Sequence, residues 1–203
     1  MEKNSVVIVL WLLFLPLCIA AQGKKKKSFI QRDMFSCGVG GAGGIFVSHP
    51  VQDIYLNGSV EYFMERRVSV KIDGFLFMPD YNFEGQLQKN SSILIGAAYH
   101  FPYKRWDTYL SLQPGLAFPG LSSGNTAIPV ETGVEPIIAI NGGLAYYLFN
   151  NLHIYGSIGY VHGTYFPESP ESFHLDEIRV AAGVGFNVFF NRYAPYERRR
   201  IRF

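Results

Sequence analysis

The sequence predicts an all-β protein, an eight-stranded antiparallel up-and-down transmembrane β-barrel preceded by a cleaved signal peptide. Three observations predict it. The chain opens on an export signal, "MEKNSVVIVLWLLFLPLCIAAQG". After it, apolar residues recur with a period of two in eight segments, and no long stretch has a convincing helical period. The connections between segments alternate between tight and longer, as in a meander of strands crossing an outer membrane.

The export signal has three parts. Lys3 supplies the positive start, Val6 to Ile19 is apolar apart from Pro16, and Ala20 and Ala21 supply small residues before Gln22. The run is short for a spanning helix. Leu17 stands where a lipoprotein signal needs a small residue before Cys18. The expected organisation is a signal peptide over 1–21, a basic periplasmic segment over 22–33, the barrel over 34–190 and a basic tail over 191–203. Cleavage removes Cys18 and leaves Cys37, so no intramolecular disulfide can form. Continuous hydrogen bonding around a closed barrel takes its place. The basic ends, "GKKKKSFIQRD" and "NRYAPYERRRIRF", carry more positive charge than the net +2 of the chain, so the middle is acidic. Such ends read as solvated tails. Export argues against nucleic-acid binding.

The eight strands are expected near 34–47, 54–65, 68–78, 92–101, 107–118, 136–148, 152–164 and 176–190. The first holds "CGVGGAGG". No helix follows it and no Lys-Ser/Thr sits in place for a phosphate loop, so it reads as a strand with room on one face. The second carries Glu61. The third places Val68, Val70, Ile72, Leu76 and Met78 on one face and Ser69, Lys71, Asp73, Phe75 and Phe77 on the other. In the fourth, Gly96 and Ala98 share the small face. The fifth alternates Leu110, Leu112, Leu116 and Phe118 with Asp107, Tyr109, Ser111, Gln113, Gly115 and Ala117. The sixth puts Ala139, Gly143 and Ala145 on the small face. The seventh alternates Leu152, Ile154, Ile158 and Tyr160 with His153, Tyr155, Ser157, Gly159 and Gly163. The eighth, "IRVAAGVGFNVFF", does the same from Ile178 to Phe190. In a membrane barrel the large apolar face meets lipid and the small or polar face lines the lumen.

Arg66 and Arg67, "PYKRW" and "FNN" make the tight turns, expected on the periplasmic side. The longer loops are expected outside, and hold Asp53, Asp80, Glu84, Glu131, Glu135, Glu168 and Glu171 against Lys89. The inner turns hold Arg66, Arg67, Lys104 and Arg105. Inside the barrel, Glu61, Lys71, Asp73 and Arg179 form the expected lumen charge network, because charges in so narrow a space must pair. Hairpin parity sets Glu61 against Lys71 or Asp73, with a Glu61–Lys71 ion pair the sensible one. Arg179 is expected to reach Asp73 or Glu61 across the lumen. Eight strands enclose an interior just wide enough for side chains, and the inward Gly and Ala residues are expected to leave water-filled pockets. Phe35, Phe46, Tyr55, Phe101, Phe118, Tyr147, Tyr165, Phe189 and Phe190 lie near strand ends and are expected to form interfacial girdles.

Residues 34–190 resemble the small eight-stranded outer-membrane barrels of double-membraned bacteria, of the OmpX and OmpA transmembrane-domain type and the porin-family β-barrel group. The sharpest piece is "GVGFNVFF", in which Gly185, Val188 and Phe190 are similar to the C-terminal assembly signal of such barrels. The usual aromatic ends the chain, whereas here thirteen residues follow Phe190. The resemblance implies an outer-membrane location, contact with membrane lipids and lipopolysaccharide, handling by the outer-membrane assembly machinery, and a monomer. It also implies lumen salt bridges that could act as a gate.

Particular residues admit other chemistries. His162 and Thr164 share the lipid-facing side near the outer end of the seventh strand, with Glu168, Glu171 or Glu177 nearby in sequence. A histidine, a hydroxyl and a carboxylate can make a hydrolytic triad. The placement resembles lipid A deacylase barrels, which use serine where this chain has Thr164, and the flanking residues of their motif are absent. No catalytic residue is assigned and the chain is read as a non-enzyme. His49, His100, His153, His162 and His174 are scattered without ligand spacing, so no metal and no cofactor is expected. A soluble lipocalin-like carrier is the structural rival. The expected function is a structural or surface-interaction role for an integral outer-membrane barrel, with a narrow, salt-bridge-gated lumen as a further feature. No surface partner is named by the sequence.

Overall fold

The computed structural model describes residues 29–47, 52–78, 87–121, 131–165 and 173–189. Eight long strands build it: β1 (Met34–Phe46), β2 (Gln52–Phe63), β3 (Val68–Met78), β4 (Leu87–Tyr103), β5 (Trp106–Leu121), β7 (Glu135–Tyr147), β8 (Leu152–Tyr165) and β10 (Glu177–Phe189). Two short ladders, β6 (Glu131–Thr132) and β9 (Phe173–His174), extend β5 and β8 at the rim. Each long strand pairs antiparallel with its sequence neighbours, and β10 pairs with β1 from Phe46↔Glu177 to Met34↔Phe189. The sheet is closed, so among these strands no edge is left with unpaired backbone groups.

Alternation decides what each face carries. Leu56, Ile72, Ile95, Leu112, Ile140, Ile158, Val184 and Phe186 point outward and are exposed. Asn57, Ser69, Lys71, Asp73, His100, Gln113, Glu177 and Arg179 point inward and are buried. A water-soluble barrel would invert this arrangement, because burying apolar area is what folding in water gains. An apolar outside and a polar inside suit hydrocarbon as the surrounding solvent. This is the pattern expected of the membrane barrel and the reverse of a lipocalin-like carrier.

Several local expectations need correction. The β4–β5 hairpin is tighter and longer than 92–101 and 107–118, because pairing continues to Tyr103↔Trp106 and leaves only Lys104 and Arg105 in the turn. Lys104 takes φ 55° there, in the left-handed region that two-residue hairpin loops use. Asp53 is not a loop residue. It lies in β2, paired with Gly44, and points into the lumen. Phe46, Tyr55 and Tyr147 also point inward and are buried, so they belong to no girdle. Exposed aromatics at the end with the tight turns, the expected inner end, include Tyr62, Tyr99, Tyr103, Trp106 and Phe149, with Trp106 packed against Tyr146. The side chain of Tyr165, Phe190, the expected signal peptide and the expected C-terminal tail lie outside the described residues.

The seam between the first and last strands depends on glycine. Gly40 and Gly183 are register partners. A Cβ on Gly40 would strike the Ala182 carbonyl and stand 2.7 Å from the Gly183 Cα, and a Cβ on Gly183 would stand 2.8 Å from the Gly40 Cα. The obstacle is backbone, which cannot rotate aside as a side chain does. Gly183→Val is expected to cost at least about 1–3 kcal/mol through overpacking. The check is loss of the compact band that a closed barrel gives on gel electrophoresis without heating.

Candidate functional site

The lumen is filled in three tiers. At the outer end, Arg179 donates from Nε to Glu177 Oε2 at 2.8 Å, and its Nη2 lies 2.7 Å from the same oxygen. Its Nη1 donates to Ser92 Oγ at 2.7 Å. The guanidinium carbon sits 4.8 Å from the ring centroids of both Tyr55 and Phe75, a cation between two aromatic faces. The Tyr55 hydroxyl lies 2.7 Å from Glu177 Oε1 and 2.8 Å from Asp53 Oδ2. Asn90 closes the cluster by donating to Tyr55 and Asp53. Phe46, Leu94, Val161 and Leu175 pack around this tier as part of an apolar cluster.

In the middle tier, Lys71 Nζ donates to both oxygens of Asp73, at 2.9 and 2.8 Å. It also lies over the Tyr109 ring, 5.0 Å from the centroid. Gln113 donates to Asp73 Oδ2 at 2.9 Å and accepts from Asn141 at 2.6 Å. Tyr155 donates to Asn57 from across the barrel. At the inner tier, His100 is bracketed: Nδ1 lies 2.7 Å from Asp107 Oδ2 and Nε2 lies 2.9 Å from Glu61 Oε1. Ser69 donates to Glu61 at 2.6 Å.

Below this tier the inner mouth is closed. Ile30, Met34, Phe63 and Tyr147 are almost wholly buried, and Phe29 stacks on Tyr147 with centroids 5.8 Å apart. The residues before β1 therefore turn under the barrel instead of trailing into solvent. Asp33 makes the turn at φ 60°, and its amide donates to the Phe63 carbonyl at 2.9 Å.

The structure puts Glu61, Lys71, Asp73 and Arg179 on the lumen face but divides them among the three tiers. Glu61 and Lys71 are register partners, one of the two pairings that parity allows. The ion pairs differ from those expected. Lys71 pairs with Asp73, two residues along the same strand face, and Glu61 is taken by His100. Arg179 pairs with Glu177, again two residues along its own strand, not with Asp73 or Glu61. A side chain two residues away lies on the same face about 6.5–7 Å along the strand, closer than a partner across a lumen that other side chains already fill. His100, Asp107, Glu177, Asp53 and Tyr55 join the network beyond the four residues expected from sequence. A signal was present for His100: it continues the inward series Leu94, Gly96, Ala98. Glu177 likewise stands two residues before Arg179.

The inward glycines are sockets, not the open pockets expected of them. A Cβ on Gly44 would meet the Glu177 carboxylate and the Tyr55 ring, one on Gly143 would meet the Tyr109 ring, and one on Gly159 would meet the Asn141 amide. Small residues on one strand make room for large polar residues on the next, which is how a narrow barrel can hold so many. Asp53, Glu61, Asp73, Asp107 and Glu177 share the lumen with Lys71, Arg179 and His100, so carboxylates outnumber cationic groups.

A closed eight-stranded antiparallel meander with an apolar exterior and a charge-filled interior defines the class of small outer-membrane β-barrels, and this chain has that fold. Solved structures agree. The crystal structure of OprG from Pseudomonas aeruginosa superposes with a TM-score of 0.60 at 12% identity, covering 79% of this chain and 98% of that one. Neisserial surface protein A gives 0.59 at 13% identity, covering 75% and 95%. Ail, the attachment invasion locus protein of Yersinia pestis, gives 0.53 at 14% identity, covering 78% and 100%. No protein-family model matches the chain, and no curated protein matches it in sequence.

Proposed function

We propose that the chain is an integral outer-membrane β-barrel with a structural or surface-interaction role, whose narrow lumen is shut by its own side chains and gated by its buried salt bridges. The observation that carries this is the pairing of Lys71 with Asp73 and Arg179 with Glu177 inside a barrel whose outward face is apolar. Ion pairs in a low-dielectric interior are strong when intact and costly when one partner is lost, which suits a latch. The likeness to a protein named for the cell surface and to one named for attachment supports a role at the exposed loops. One Ail structure is a complex with the heparin analogue sucrose octasulfate. The acidic outer loops of this chain disfavour a sulfated ligand and favour contact with the divalent cations that surround lipopolysaccharide.

Recording from the refolded protein in a planar bilayer tests the lumen. The wild type is expected to insert without steady openings. Lys71→Met with Asp73→Leu, which removes a whole ion pair, is expected to produce discrete openings that favour cations because the remaining lumen is acidic. Large steady currents through the wild type would contradict a closed lumen.

A further inference from the structure

The tight turns between β2 and β3 and between β4 and β5 carry Arg66, Arg67, Lys104 and Arg105, all exposed. Among the described residues none of the four lies within ion-pair distance of a carboxylate. Arg105 packs at the mouth, its guanidinium carbon 5.9 Å from the centroid of the Phe29 ring. Arg67 and Lys104 instead turn against the outward wall of β4. Arg67 Nη1 donates to the Tyr99 hydroxyl at 3.4 Å, and Lys104 Nζ lies over the Tyr103 ring, 5.1 Å from its centroid. Tyr99 and Tyr103 are both exposed on that wall. Phe101 stands between them and meets Tyr99 edge to face at 5.0 Å. The backbone fixes this arrangement: Val68 pairs with Tyr99, and the His100 amide donates to the Arg67 carbonyl at 2.8 Å.

A cation that only snorkels to a membrane surface needs no fixed partner. Arg67 has one, and the pair leaves donors free. The Tyr99 oxygen accepts from Arg67 and keeps its own hydrogen to donate. Among the described residues no acceptor takes that hydrogen, and the guanidinium has further N–H groups. A phosphate oxygen at this point receives a charge-assisted hydrogen bond from Arg67 and a second bond from Tyr99. Lys104 supplies another positive charge beside it. Toward the middle of the bilayer the next outward residue of β4 is Ala97, flanked by Val70 on β3 and Leu112 on β5. Its methyl group leaves a notch between Ile95 and Tyr99 in a face that is otherwise bulky, a shallow seat for an acyl chain.

We infer that this wall binds an anionic glycerophospholipid of the leaflet that the tight turns reach, with Arg67 and Tyr99 on its phosphate and an acyl chain along Ala97. An anionic headgroup follows from charge. The ammonium of a choline or ethanolamine headgroup would approach Arg66, Lys104 and Arg105, with Glu65 the one acid in those two turns to receive it. A phospholipid rather than lipopolysaccharide follows from the side, because the short turns of such barrels face the periplasm and the leaflet there is phospholipid.

Such binding rests on the reading of the outward face as the lipid-facing one, and one native reporter separates the two. Trp106 is the register partner of Tyr103, and the other tryptophan, Trp11, lies in the expected signal peptide. The refolded full chain carrying Trp11→Phe is placed in vesicles of phosphatidylcholine and phosphatidylglycerol in equal amounts. One or the other lipid is brominated on the acyl carbons nearest its headgroup, and the ratio of Trp106 quenching gives the preference. Phosphatidylglycerol should be preferred roughly fivefold. The preference should persist in about 1 M salt, where the screening length is roughly 3 Å. Tyr99→Phe should lower it about twofold, and Arg67→Gln with Lys104→Gln should abolish it. All three positions are exposed, so the variants should keep the folded gel mobility. Equal quenching by both brominated lipids overturns the inference and leaves the membrane reading standing. So does a preference that the double variant keeps, or one that salt abolishes, which would mark a diffuse field and not a site. Displacement of brominated phosphatidylglycerol by added lipopolysaccharide overturns the assignment to phospholipid. No quenching by either lipid overturns the membrane reading and the inference with it.

Discussion

Arg179→Met is expected to cost about 3–5 kcal/mol of barrel stability. Arg179 and Glu177 are both almost fully excluded from solvent. Removing the guanidinium leaves Glu177 facing Tyr55, with Asp53 close by and no cation beside it, and an uncompensated buried charge is among the most damaging changes a core can suffer. The variant also loses the Ser92 hydrogen bond and the cation between the Tyr55 and Phe75 rings. Glu177→Leu in the same background should recover most of the loss, since replacing a whole buried pair by apolar groups is close to neutral. The measurement is denaturant unfolding in detergent micelles of both single variants and the double variant. Additive single and double effects would mean that the two side chains do not form an interacting pair.

Leu112→Arg is expected to be nearly as severe, at about 2–4 kcal/mol, and for a different reason. Leu112 lies outward on β5 beside Ile140 on β7 and is 52% exposed. It stands near the middle of the strand, where a lipid-facing cation is most expensive. In a water-soluble barrel the same exposed position would accept arginine within about 0.5 kcal/mol. The same substitution at Thr108, close to the inner turn of the same strand face, should cost much less, because its charge can reach the interface. A depth-dependent penalty in reconstituted vesicles is therefore the expected signature, and a flat one would contradict it.

Much of the fold was legible because one physical rule governs it. Period-two alternation places each strand and both of its faces, and it placed β1, β3, β7, β8 and β10 within one residue at each end. Alternating short and long connections then give an up-and-down order. The ends of β2, β4 and β5 were less visible. Gln52, Asp53 and Asn90 are polar residues inside paired strands, and in a barrel with a polar lumen they look like loop. That same inversion explains Asp53, whose carboxylate suggested solvent but serves Tyr55 and Asn90.

The charge network was legible in membership more than in pairing. Parity limits the partner facing Glu61 to Lys71 or Asp73, yet pairing depends on which third group lies nearest, and that requires the fourth and fifth strands. His100 captures Glu61 only because the β4–β5 hairpin runs to its full length and brings Asp107 to the other side of the ring. The inward glycines carried a misleading signal for a similar reason. A glycine in one strand reports space, but the residue that fills it comes from another strand. At the rim, His162 and Thr164 were visible by spacing, whereas Asp176, whose Oδ1 lies 2.6 Å from His162 Nδ1, became visible only once β9 and β10 were placed.

The most direct test of the outward face is fluorescence quenching in vesicles of lipid brominated at mid-chain. Trp106→Phe removes the tryptophan native to the barrel, and a single tryptophan is then placed at Leu112 or, in a second variant, at the neighbouring inward position Ser111. Strong quenching at 112 and weak quenching at 111 is the predicted result. Equal weak quenching at both, with iodide in the aqueous phase quenching position 112, would show that the apolar face does not meet hydrocarbon.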